Sequence, residues 1–176
     1  MKRIVRIAIW GPPCSGKSTL AVKIGKHLDI PVHHSDAIFL GEKEDNSLDY
    51  LHNKAIQILN EKQWVIDGNF GELREEVIAR SKIIIILDLP LSLLVIRLIK
   101  RTISAYTPFK LTPSSHFHKL SYKNWAEVIR FEIYDSFRLM VSFKRNYLQH
   151  LLELVKNHSK EGKLVLIRNI ESIIIK

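Results

Sequence analysis

Gly11-Pro12-Pro13-Cys14-Ser15-Gly16-Lys17-Ser18 is the stretch that most narrows what this chain can become. It satisfies the spacing G-x-x-x-x-G-K-[ST] without a gap. It follows a run rich in β-branched residues, Ile4 to Trp10, which reads as a buried strand, and it precedes Lys17 to Leu28, which reads as a helix. Glycines at 11 and 16 allow backbone angles that a Cβ forbids, so the intervening N–H groups can turn inward as an anion nest. The helix that starts near Lys17 adds the positive end of its dipole. A strand, a glycine loop and a helix in this order predict a phosphate-binding loop. Its nucleotide-contacting residues are expected to be Gly11, Pro12, Pro13, Cys14, Ser15, Gly16, Lys17, Ser18 and Thr19. Lys17 is placed to reach the β- and γ-phosphates, the Ser18 hydroxyl to ligate Mg²⁺, and Thr19 to donate to the α-phosphate. Cys14 reads as a small residue at a variable loop position, with a redox-sensing thiol as its alternative, since a nest of N–H groups favours a thiolate.

The rest of the chain continues the alternation of strand and helix. Short strands are expected at Pro31–Ser35, Trp64–Asp67, Ile83–Leu87 and Leu164–Ile167. Helices are expected at Leu48–Lys62, Glu72–Arg80 and Leu91–Arg101, in a long region from Leu120 to Asn157 that has room for one break, and in a short terminal segment. Such alternation predicts a parallel sheet with helices on both faces and right-handed crossovers. The fold class is therefore α/β: a three-layer, five-stranded domain spanning residues 1–176. Ligands of such sheets sit at the carboxyl ends of the strands. Thr102 to His116 carries two prolines and several Ser and Thr, and reads as a loop-like insertion.

Three acids fall at strand ends. Phosphoryl transfer from a phosphate-binding loop needs a second group for Mg²⁺ and a base or orienting group for the acceptor hydroxyl. Asp36, just after the second strand, is placed for the acceptor, with a helix cap or turn as its structural alternative. Asp67 is favoured over Asp88 for the Mg²⁺ shell. The pair Asp67-Gly68 leaves a carboxylate at what reads as an open turn, whereas Asp88 leads into a helix and can serve as its cap. Arg97 and Arg101 lie four apart on one helix face just before the insertion, where cations could clamp a transferring phosphoryl group. Arg130, Arg138 and Arg145 fall within an arc of about 80° if their helix is regular, which fits either a phosphate-facing surface or a solvated basic face. A guanine-specificity motif Asn-Lys-x-Asp is missing, because the only Asn-Lys pair, Asn53-Lys54, runs on into Ala55-Ile56. This argues against a GTPase switch.

At this level of detail the chain resembles the adenylate kinase-like group of P-loop small-molecule kinases. Within that group it is most similar to the subgroup called DNA topology modulation proteins. The resemblance rests on Gly11 to Thr19, on His33 to Phe39 with its central Asp36, on Trp64-Val65-Ile66-Asp67-Gly68-Asn69-Phe70, on Ile85 to Pro90, and on Gly162 to Arg168. It implies a five-stranded P-loop kinase fold with a lid near residues 102–125, ATP and Mg²⁺ as cofactors, Asp36 near the acceptor and Arg168 at the adenine site. The subgroup's lid is rich in arginine, but this chain has no Arg between Thr102 and Asn124.

Composition adds limits. The net charge of +9 and pI of about 9.7 attract anions, which include nucleotides and nucleic acid alike. A small-molecule phosphate acceptor is the favoured partner, and a nucleotide-dependent module acting on nucleic acid is the less favoured alternative. One cysteine cannot form an intrachain disulfide and fits a reducing compartment, so a cytoplasmic location is expected. The longest apolar stretch, Ile83 to Ile96, is broken by Asp88 and Pro90 and is too short to span a bilayer; no membrane partner is expected. A monomer or homodimer fits a chain of this size. The paired histidines, His33–His34 and His116–His118, lack a Cys or acidic cluster at metal spacing.

Overall fold

A computed structural model describes residues 4–35, 48–68, 71–106, 133–159 and 163–168. Its strands are β1 (Val5–Trp10), β2 (Val32–His34), β3 (Gln63–Asp67), β4 (Ile83–Leu87) and β5 (Lys163–Ile167). The helices are α1 (Lys17–Leu28), α2 (Leu48–Asn60), α3 (Arg74–Arg80), α4 (Leu91–Tyr106), α5 (Ser136–Ser142) and α6 (Leu148–His158), with a π-helical stretch, Phe143–Tyr147, joining the last two. The sheet order is β2-β3-β1-β4-β5, and every neighbouring pair is parallel. β1 is therefore central. The chain leaves it toward one edge for β2 and β3, then crosses to its other side for β4 and β5. That reversal makes the carboxyl end of β1 a topological switch point, where a crevice opens between diverging loops.

Alternation along the strands builds the layers. Ala8 and Trp10 of β1 join Trp64, Ile66, Ile84 and Ile86 under α2, α3 and the π-helical stretch with α6, in a core that includes Leu59, Val77, Phe143 and Leu151. Ile7 and Ile9 point to the opposite face, with Val65, Ile85 and Leu87, against Leu20, Ala21 and Ile24 of α1. The side-chain period of two in a strand requires this division. β-branched runs such as Ile83–Ile86 supply apolar groups to both faces, as a parallel sheet covered on both sides needs. A third cluster, Leu89, Leu94, Leu98 and Met140, packs α4 on α5 beyond the end of β4, with Cys14 and Ile133 against it.

Two expectations change. The fourth long helix does not end at Arg101: α4 runs on to Tyr106. Thr102 is buried, and its hydroxyl donates to the Leu98 carbonyl at 3.0 Å, so the side chain is satisfied within the helix. The helical region after residue 133 is not regular either. The π-helical stretch changes the angular step between Arg138 and Arg145, so the regular-helix arc does not apply. Arg130, the lid segment 107–125, His116, His118, Gly162 and the terminal helix lie outside the described residues. Among the described residues, no helix is long and apolar enough to cross a membrane.

Candidate nucleotide site

β1 delivers the loop to the switch point, and two left-handed residues shape it. Cys14 has φ of 60° and Gly16 φ of 94°. Gly16 occupies the left-handed conformation at no steric cost, whereas Cys14 adopts it with a Cβ, which costs about 1–2 kcal/mol. The Cys14 side chain packs against the third apolar cluster, which offsets part of that cost. Gly11 is needed for a different reason. A Cβ there would lie 2.9 Å from Leu87 Cβ and 3.1 Å from the Leu87 carbonyl oxygen, so the loop can leave β1 only by passing close to the end of β4.

Helix α1 starts immediately after Gly16 and has no acidic residue in its first turn. Its N-terminal dipole is thus left without a carboxylate of its own first turn, which favours an incoming anion. Lys17 folds over the loop, with Nζ donating to the Pro12 carbonyl at 3.0 Å. Arg97 reaches across from α4, and its Nη1 donates to the carbonyls of Ser15 at 2.9 Å and Cys14 at 3.3 Å. Arg101, one turn further along, donates instead to Ser136 Oγ of α5 at 3.4 Å. The two arginines expected to act together thus point to different neighbours.

The carboxylate of Asp67 stands at the head of α1. Ser18 Oγ donates to Asp67 Oδ2 at 2.6 Å, and His34 Nδ1 is hydrogen-bonded to Asp67 Oδ1. Asp67 shares its face of β3 with Val65, two residues earlier, and that is the face covered by α1. The open turn expected at Asp67-Gly68 is instead closed, since Asp67 is 3% exposed. Gly68, with φ of 111°, allows the chain to leave β3 there. A Cβ on it would fall 1.8 Å from Ser35 Oγ, so the Ser35 hydroxyl occupies the space that any side chain would need. A hydroxyl and a carboxylate in contact are hard oxygen donors of the kind Mg²⁺ accepts, one or two from the protein and the rest from phosphate and water. Ser18 and Asp67 therefore fit Mg²⁺.

Asp88 has other partners. Lys144 Nζ of the π-helical stretch contacts its Oδ1, Arg168 Nε lies 3.5 Å from its Oδ2, and its backbone N–H donates to the Ile167 carbonyl at 2.8 Å. These contacts tie the ends of β4 and β5 to the helical layer. Arg168, expected at an adenine site, has a side chain that is 72% exposed and directed at Asp88. Asp36, Asn69 and Phe70 lie outside the described residues. No local sequence pattern assigns a role to His34 or Lys144 at this site. The available signal for His34 was its place two residues after the inward-facing Val32, at the end of a strand.

Together these features define the architecture. The chain is a three-layer α/β domain with a P-loop at its switch point. Neither a protein-family model nor a curated protein sequence matches it. Among solved structures it is similar to a shikimate kinase from Bacteroides thetaiotaomicron, at 15% identity and a TM-score of 0.48, covering 96% of this chain and 92% of that one. It is also similar to a gluconokinase from Sinorhizobium meliloti 1021, at 17% identity and a TM-score of 0.43, covering 84% of this chain and 99% of that one.

Proposed function

We propose that the chain is an ATP-dependent small-molecule kinase that transfers a γ-phosphoryl group to a hydroxyl or phosphate of a small acceptor. The observation that carries this reading is the Ser18–Asp67 hydrogen bond at the head of α1. It joins a P-loop hydroxyl to a strand-end carboxylate where the metal and the terminal phosphates of a nucleotide would meet. Phosphoryl transfer asks mainly for positioning and charge stabilisation, and this loop supplies both. Loop N–H groups and the α1 dipole hold the phosphate chain. Lys17 exchanges the Pro12 carbonyl for phosphate oxygens. Arg97, already on the loop's outer carbonyls, keeps the loop in shape and brings a cation beside it. Mg²⁺, when bound, neutralises phosphate oxygens, and Ser18 with Asp67 would hold it. Asp36, next in sequence to the buried Ser35, is proposed to orient or deprotonate the acceptor, Arg101 to complete the cationic side, and Arg168 to border the adenine site. In its finer form the reading follows the sequence resemblance: an adenylate kinase-like enzyme, with nucleosides and nucleotides as the first acceptors to test.

The test is phosphoryl transfer from Mg-ATP across a panel of nucleosides, nucleotides and sugars. One or more acceptors should turn over, and Lys17→Ala should lower the rate about 10²–10³-fold, the usual loss for removing one preorganised charge-stabilising group. Transfer at the wild-type rate in Lys17→Ala would remove the loop from the mechanism.

A further inference from the structure

β2 is the edge strand beside β3, and the parallel register sets His34 level with Asp67. Side chains level with each other in neighbouring strands project to the same face. Two residues back along that face, Val32 is level with Val65 inside the α1-side core. His34 and Asp67 are the polar continuation of that row at the rim. Their side chains meet there, Nδ1 to Oδ1, while Oδ2 accepts from Ser18. The carboxylate is thus held from both sides, by α1 through Ser18 and by β2 through His34. A single hydrogen bond leaves a carboxylate free to swing about its last torsion, which has broad minima. Two donors on its two oxygens fix its plane. An ionised carboxylate only accepts, so Nδ1 is the donor in this pair.

The geometry points to His34 as a positioning residue for the Mg²⁺ end of the site. Through Nδ1 it locks the plane of the Asp67 carboxylate and keeps Oδ2 on the Ser18 hydroxyl. Ser18 Oγ then keeps its proton on Asp67 and directs its lone pairs toward the phosphate side of the loop. The role is indirect, since His34 acts on the metal through Asp67. It rests on the reading of Ser18 and Asp67 as the Mg²⁺ pair. Without His34 the carboxylate gains torsional freedom, and ordering it again falls on metal binding. Loss of such an outer partner lowers metal affinity about 10–100-fold. The loop's grip on the phosphates does not pass through His34, so metal-free nucleotide binding is spared.

The experiment is calorimetric titration of the full chain with ADP, once with Mg²⁺ and once with EDTA. Wild type should bind ADP more tightly with Mg²⁺. In His34→Ala that Mg²⁺-dependent gain should fall about tenfold or more, with affinity in EDTA unchanged. His34→Asn, whose amide nitrogen can stand near the place of Nδ1, should recover most of the gain. An undiminished gain in His34→Ala, or equal losses with and without Mg²⁺, would overturn the positioning role. If His34→Ala does not fold, His34→Asn decides, because a folded Asn variant without the Mg²⁺ gain overturns the role as well. A wild-type affinity indifferent to Mg²⁺, or a Mg²⁺ response that survives Ser18→Ala, overturns instead the Mg²⁺ reading on which the role stands.

Discussion

At the residue scale, Gly68 shows how tightly the end of β3 is built. Its φ of 111° lies where side chains are strained, and Ser35 Oγ occupies the position of its missing Cβ. Gly68→Ala combines a strained backbone with an overpacked contact and should destabilise the fold by about 2–4 kcal/mol, read from the denaturant midpoint. Ser35→Gly in the same chain should return the steric part and leave the backbone part. If Gly68→Ala unfolds at the wild-type midpoint, the closed turn at Asp67 is wrong. Asp67 itself was legible in the sequence as the acid that ends an apolar strand. Its burial was not, because the group that covers the Gly68 side, Ser35, comes from just past the end of another strand, β2.

At the element scale, α1 reaches the sheet through Gly25. A Cβ there would fall 2.2 Å from Val32 Cγ2 and 3.1 Å from the Ile30 carbonyl oxygen. Glycine inside a helix costs about 1 kcal/mol relative to alanine, so its presence marks a close approach of helix to strand. Gly25→Ala should destabilise on balance, by about 1–3 kcal/mol, despite the better helix former. In a Val32→Ala background the same substitution should cost clearly less, giving a coupling energy measurable by a double-mutant cycle. Additive effects would show that α1 does not rest on β2 at this point. The contact bears on the site as well, since it sets the spacing between Ser18 at the start of α1 and His34 at the end of β2. Helix α4 extends past Arg101 to Tyr106. Ser, Thr and Pro near residue 102 read as loop, but a buried threonine that bonds its own helix carbonyl does not break a helix.

At the scale of the whole molecule, the strand order places chemistry that no local pattern contains. His33 faces the opposite side of β2 from His34, level with Ile66, and burial lowers its pKa below 6.5, with Glu61 at 3.7 Å opposing the shift. The unfolded chain therefore binds this proton more readily than the folded one. Stability is full above pH 6.5 and falls as pH drops from there through the lower folded value, then levels off. Denaturant titrations at pH 7.5 and at lower pH should show this loss, and His33→Gln should reduce it; an equal loss in His33→Gln would assign the pH dependence to other groups.

The phosphate loop, the alternation of strands and helices, and the acids at strand ends were all readable in the sequence, because each follows from a local rule of backbone freedom, side-chain period or capping. What the tertiary structure alone decided is which strand ends stand together. β2 lies beyond β3, two strands away from β1, and only that order sets His34 beside Asp67 and both at the head of α1. Asp88, the less favoured rival on its local sequence, stands with Lys144 and Arg168 on the other side of β1. Pairing between strands far apart in the chain is chosen by the joint burial of all their apolar faces, a quantity that no single segment carries.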